Sequence, residues 1–187
     1  MAGALNAMAI QAAKMVIDTL TEVDYVTIVK YSSRASAYSN TLVKATTATK
    51  ADLKTWIDSN IDAAGTTNFR AAFEKAWEVV DATTTSSSCN RIMLFLSDGV
   101  PNDWTPDDYA SLAAKSASYS PPARLLTYGL GSGVDPAMLK TIACQNSGIY
   151  HAVTEATIRD TMASYYQMLT PMLSPCKLRW TLYNDPY

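Results

Sequence analysis

Eleven residues, Arg91 to Pro101, constrain the fold of this chain more than any other stretch: Arg-Ile-Met-Leu-Phe-Leu-Ser-Asp-Gly-Val-Pro. The unbroken apolar run Ile92 to Leu96 reads as a strand buried on both faces, which is what the middle of a parallel sheet requires. Ser-Asp-Gly stops it and leaves Asp98 at the carboxyl end. In open α/β sheets the crevice beyond those strand ends is where ligands bind, so Asp98 is a candidate ligand or catalytic group. The same Asp-Gly pair also reads as a turn that simply ends the strand.

The elements that follow repeat one pattern. A helix from Pro106 to Ser118 opens on a proline suited to the first turn, and Arg124 to Leu130 is a second apolar strand ending at Gly129, Gly131 and Gly133. Asp135-Pro136 caps a helix to Gln145, which Asn146-Ser-Gly148 ends. Ile149 to Val153 is a short strand and Thr157 to Leu169 a helix. Alternation of this kind specifies right-handed crossovers, hence a doubly wound, mainly parallel α/β sheet with helices on both faces.

Upstream, an Ala/Met-rich helix runs from Ala2 to Leu20, Tyr25 to Ser32 has strand composition, and Ala35 to Ser39 is its antiparallel hairpin partner at a sheet edge. Lys50 to Ile61 is a helix capped by Thr49, and Ala64 to Asn68 is a loop. From Phe69 a helix sets Phe69, Ala72, Phe73, Ala76, Trp77 and Val80 on one face, and the Thr/Ser run to Ser88 is a loop. Lys177 to Tyr183 alternates like a strand of something further on.

With 187 residues, 48% hydrophobic and 17% charged, the chain has enough material for one buried core. A net charge of −2 without a basic cluster gives nucleic acid nothing to bind, and no apolar run approaches the ~20 residues of a spanning helix. There is one histidine, His151, to which a structural or surface role suits better than catalysis, and no nucleophile or metalloprotease motif. Gly129-X-Gly131-X-Gly133 lacks the full dinucleotide fingerprint. These residues describe a non-enzymatic protein.

Two loops remain, Gly65-Thr-Thr-Asn68 and Ser97-Asp98-Gly99, and the doubly wound fold puts both at the carboxyl edge. A Thr hydroxyl and one carboxylate are hard oxygen donors of the kind Mg²⁺ or Ca²⁺ takes, though such ions want about six oxygens.

At these residues the chain resembles the von Willebrand factor A domain family, whose members carry Asp-X-Ser-X-Ser after the first strand, a Thr in a Gly-Thr-rich loop, and an Asp in a Ser/Thr-Asp-Gly turn. Thr67 matches the second element and Asp98 the third. The resemblance implies that Thr67 and Asp98 are metal ligands of a metal-ion-dependent adhesion site for Mg²⁺ or Ca²⁺, completed by an acidic side chain of a protein partner. Thr66, Asn68, Asn102 and Asp103 are then the ligand-binding rim.

The first element is absent, so the expectation is a domain over residues 1–173 that lacks its central first strand, with exposed, aggregation-prone edges, followed by a linker and new strand over 174–187. Cys144 to Tyr150 and Leu178 to Tyr183 are similar to the A domain and onward linker of Cache-associated proteins, which include auxiliary alpha-2-delta subunits of calcium channels. That implies an extracellular or cell-surface setting. In that fold Cys89, Cys144 and Cys176 fall opposite the Thr67/Asp98 site; a Cys144–Cys176 disulfide suits an oxidising compartment, and three thiols is the alternative. The function implied is a cation-dependent adhesion module in a larger protein. A metal-independent module for assembling a matrix, filament or surface complex is the competing reading.

Overall fold

The computed structural model describes residues 3–61, 66–84 and 90–161. Three parallel strands, β5 (Ile92–Ser97), β6 (Arg124–Leu130) and β7 (Tyr150–Val153), form a sheet in the order β5-β6-β7, with Leu94 opposite Leu126 and Tyr128 opposite His151. Helices α4 (Pro106–Ala117) and α5 (Pro136–Gln145) lie between them in sequence. Both crossovers are therefore strand-helix-strand units, as the alternating pattern requires.

Continuous apolar runs form these strands because both sheet faces are covered. On one face α1 (Ala4–Thr19) sets Met8, Ala9 and Ala12 against Leu126, Tyr128 and Leu130, with Ile92, Leu94 and Leu96 beside them. On the other, Phe69, Phe73 and Trp77 of α3 (Phe69–Ala82) join Leu139 and Ile142 of α5 against Phe95 and Leu125. The two-residue period of a strand thus sends even-numbered β5 residues to α1 and odd ones to α3. At about 25 cal/mol per Å² of apolar surface removed from water, each fully buried Leu or Phe here contributes roughly 1.5–3 kcal/mol.

The upstream half differs from its sequence-based expectation. Tyr25 to Ser32 is not one strand but two, β1 (Tyr25–Val26) and β2 (Val29–Tyr31). β1 pairs antiparallel with β4 (Val43–Lys44), and β2 with β3 (Ala35–Ala37). Among the described residues neither pair joins the backbone ladder of the main sheet, so the hairpin does not form its edge. Helix α2 (Thr47–Asn60) starts earlier than expected because Thr46 is the cap: its hydroxyl accepts from the Thr49 amide at 3.2 Å. It packs Leu53 and Ile57 on Ile17 of α1.

Helix α5 ends as expected but with its residues in different roles. Ser147, with φ 53°, takes the left-handed position that glycine usually fills, and the Gly148 amide donates to the Ala143 carbonyl at 2.9 Å. Gly148 is required for another reason: a β-carbon there would stand 1.8 Å from the Leu125 carbonyl oxygen. Residues 158–161 are helical, with Ile158 buried in the α1-side core. The rest of the helix expected to Leu169, the strand at Lys177 to Tyr183, Cys89 and Cys176 lie outside the described residues.

Candidate functional site at the carboxyl edge of the sheet

Strand β5 delivers Ser97, Asp98 and Gly99 to the carboxyl edge. Ser97 is buried and Asp98 half-buried. Gly99 donates its amide to the Ser97 hydroxyl at 3.3 Å, which folds the chain back at the strand end. The turn is fixed from a third side by Gly133, beyond β6, where a β-carbon would stand 2.7 Å from the Asp98 carbonyl oxygen. Only a glycine lets the two strand ends come that close.

Thr67 arrives from the start of α3. The Asn68 side-chain carbonyl accepts from the Ala71 amide at 2.9 Å and caps the helix, and the Asn68 amide donates to the Ser32 carbonyl at 3.0 Å. Thr67 accepts at its carbonyl from the Asn102 amide at 3.1 Å. Its hydroxyl stands 3.3 Å from the position of a β-carbon on Gly99, the residue after Asp98. The two loops named from sequence are thus brought into contact, with both Thr67 and Asp98 half-buried.

The flanking residues take different parts. Thr66, Asn102 and Asp103 are exposed around the pair, whereas the Asn68 carboxamide oxygen is committed to the cap. Asp103 is held by Arg70, whose guanidinium lies 3.5 Å from its carboxylate and donates to its carbonyl at 3.2 Å. The same guanidinium makes a two-pronged contact with Asp108, at 2.8 and 2.9 Å. Asp108 also accepts from the amide and hydroxyl of Thr105 at 2.8 Å each, tying down the start of α4. The Arg70 hydrogen bond, helped by those from Thr105, holds the Asp108 carboxyl well below the usual carboxylate range.

Arg70 was not legible as part of this site. It is separated from Asp108 by 38 positions, and nothing in the spacing announces the pair. The only available signal was the Thr105-Pro-Asp-Asp108 start of α4, which marks Asp108 as a capping residue with lone pairs to spare.

Chemically the edge offers one carboxylate and one hydroxyl, hard oxygens that fit part of a Mg²⁺ or Ca²⁺ shell. Among the described residues no group of three or more His, Cys, Asp or Glu gathers as a metal site, at this edge or away from it. His151 stacks on Tyr128 with ring centres 5.4 Å apart, and burial lowers its pKa. Cys144 is exposed near the end of α5.

A doubly wound α/β domain with a Thr/Asp oxygen pair at its carboxyl edge is the class that fold and site define. Residues 3–164 match the family described as von Willebrand factor type A domain, and the chain belongs to that family. It is 27% identical over 180 residues to the voltage-dependent calcium channel subunit alpha-2/delta-2 of Homo sapiens, covering 90% of this chain and 15% of that protein. The chain thus spans less than a fifth of that relative's length. Among solved structures, a von Willebrand factor type A protein from Catenulispora acidiphila superposes with a TM-score of 0.74 at 22% identity, over 86% of this chain and 37% of the other. Proximal thread matrix protein 1 from the mussel byssus, with a zinc-occupied MIDAS motif, gives 0.64 at 17% over 87% and 40%. These two likenesses are of fold.

Proposed function

We propose that the chain is a non-enzymatic protein-interaction module whose Thr67 and Asp98 supply part of a divalent-cation site, for Mg²⁺ or Ca²⁺, to a larger extracellular or cell-surface protein. The observation that carries this reading is the seating of the Thr67 hydroxyl against Gly99 beside Asp98. In this role the backbone positions the two residues: the lack of a side chain at Gly133 lets the Asp98 carbonyl come close, and the Asn102 amide donates to the Thr67 carbonyl. Thr67 and Asp98 would be the residues that hold the cation, and its positive charge would supply a site for an acidic side chain of the partner protein. Two donors fill a third of a six-oxygen shell, which leaves the rest to water, other residues and the partner. Thr66, Asn102 and Asp103 form the rim that the partner meets. The extracellular setting is supported by the likeness to the channel subunit and to a byssus thread protein.

A second reading is metal-independent assembly within a matrix or surface complex, favoured by the byssus-protein likeness. Partner binding by the full protein distinguishes them. Under the first reading Asp98→Ala, Thr67→Ala and chelator each weaken binding at least tenfold. Binding that chelator and both substitutions leave unchanged establishes the second.

A further inference from the structure

The stretch from Gly99 to Thr105 carries part of the rim and has no regular structure of its own. Val100, at 48% exposure, lies open to water, as do Asn102, Asp103 and Thr105. Two side chains are withdrawn from it: Pro101 is buried and Trp104 half-buried. A loop without a backbone ladder takes its position from the scaffold it rests on, so these anchors decide where the rim stands.

Trp104 is seated among aromatic rings. It stands edge-on to Phe69, with ring centres 5.9 Å apart, and to Tyr109 at 5.5 Å, and lies tilted over Phe73 at 5.7 Å. Phe69 and Phe73 both rest on Phe95, at 4.7 and 4.6 Å. These rings lie close in sequence to the two oxygen donors. Phe69 opens α3 directly after Thr67 and Asn68, and Phe95 belongs to β5 shortly before Asp98. A close-packed interior has little room to adjust, so rings in contact hold one another's position. One indole therefore fastens the rim loop to the same rings that underlie both ligand loops.

The polar fastenings of the loop are weaker. The Arg70 side chain that holds Asp103 is 43% exposed, and an exposed ion pair adds little to stability. The Asn102 amide donates to the Thr67 carbonyl at 3.1 Å, but a single backbone bond between irregular segments opens easily when nothing else holds them. Ring pairs such as those of Trp104 contribute beyond the area they bury. We propose that Trp104 is a positioning residue for the cation site: it seats the loop on Phe69 and Phe73, and so keeps Asn102 on the Thr67 carbonyl and the Thr67 hydroxyl beside Gly99. Trp104 supplies no oxygen itself. The inference rests on the cation reading for its effect on the ion, and on the ring geometry alone for the joining of the two loops.

The test compares amide exchange and Mn²⁺ binding in the unsubstituted chain, in Trp104→Leu and in Trp104→Phe. Trp104→Leu should speed exchange of the Asn102 amide about tenfold, because the loop then opens without the rest of the fold. It should also weaken Mn²⁺, read from broadening of the Asp98 amide, by about tenfold, a usual cost of losing a support behind metal ligands. Trp104→Phe keeps an aromatic ring over Phe69 and Phe73 and should recover most of both. Unchanged Asn102 exchange in Trp104→Leu overturns the proposal, and so does equal Mn²⁺ affinity. Exchange that quickens equally at Leu126 and Tyr128 of β6, or a Phe variant no better than Leu, makes Trp104 a general core residue and overturns it as well. An unsubstituted chain whose Asp98 amide ignores Mn²⁺ fails the cation reading instead. The Asn102 exchange then still decides whether Trp104 joins the loops.

Discussion

The backbone amide of Asn102 donates to the carbonyl of Thr67 at 3.1 Å, and this bond joins the loop before α3 to the loop after β5. Neither loop has regular structure to hold it, so the position of each oxygen donor depends on its neighbour. The Thr67 hydroxyl is seated on Gly99, and the Asp98 carbonyl on Gly133. What can disturb the site is therefore a small change in the residues beneath it.

Adding a methyl at these glycines should separate stability from binding. Gly133→Ala places a carbon 2.7 Å from a backbone oxygen that cannot rotate away, and should cost about 1–3 kcal/mol in urea unfolding. Gly99→Ala meets only the Thr67 hydroxyl, at 3.3 Å. It should cost under about 1 kcal/mol of stability yet weaken cation-dependent partner binding, measured by titration of partner at fixed Mg²⁺.

Arg70→Ala removes the guanidinium that holds Asp108 and Asp103. Because the folded Asp108 pKa is depressed, the pair's stabilisation is present above about pH 4, the ordinary carboxylate value, and lost as pH falls from there through the folded value. In the Arg70→Ala chain the Asp108 carboxyl should titrate close to that ordinary value. A carbon-detected NMR titration of the side-chain carboxyl reads it, and an unshifted titration would show that Thr105 alone suffices.

Ser147 and Gly148 should respond in opposite senses. Gly148→Ala drives a carbon into the Leu125 carbonyl at 1.8 Å and should cost roughly 3 kcal/mol or more, or prevent folding. Ser147→Gly relieves a side chain held at φ 53° and should be neutral or stabilise by up to about 1 kcal/mol. Thermal unfolding of the two variants compares them directly.

His151 is the chain's one histidine, so its NMR titration needs no assignment. Burial lowers its folded pKa, which means the folded state resists the proton. The associated stability is full above about pH 6.5, the unfolded value, and declines as pH falls through the folded one. A midpoint at or above 6.5 would show that the stack on Tyr128 does not exclude water.

The strand β5 and its Asp98 were legible because an apolar run covered on both faces has few alternatives, and the crossover helices followed from cap residues such as Asp135 and Pro136. The loop motif around Thr67 pointed to its place beside the β5 turn, where the structure has it next to Gly99. What failed was the upstream half, where Tyr25 to Ser32 has uniform strand composition but two different partners, β4 and β3. Partner choice is a tertiary matter that local propensity does not encode. Thr46 was passed over for Thr49 because both threonines suit a cap and only the backbone decides. Arg70 was invisible because an ion pair between distant residues leaves no periodic trace.

The most direct test of the cation account is paramagnetic broadening of backbone amide resonances as Mn²⁺ is added to the chain. If Thr67 and Asp98 hold the ion, the amides of Thr67, Asp98 and Gly99 broaden first, and Asp98→Ala abolishes the effect. Broadening centred instead on Asp103, Asp107 and Asp108, or unchanged by Asp98→Ala, would contradict it.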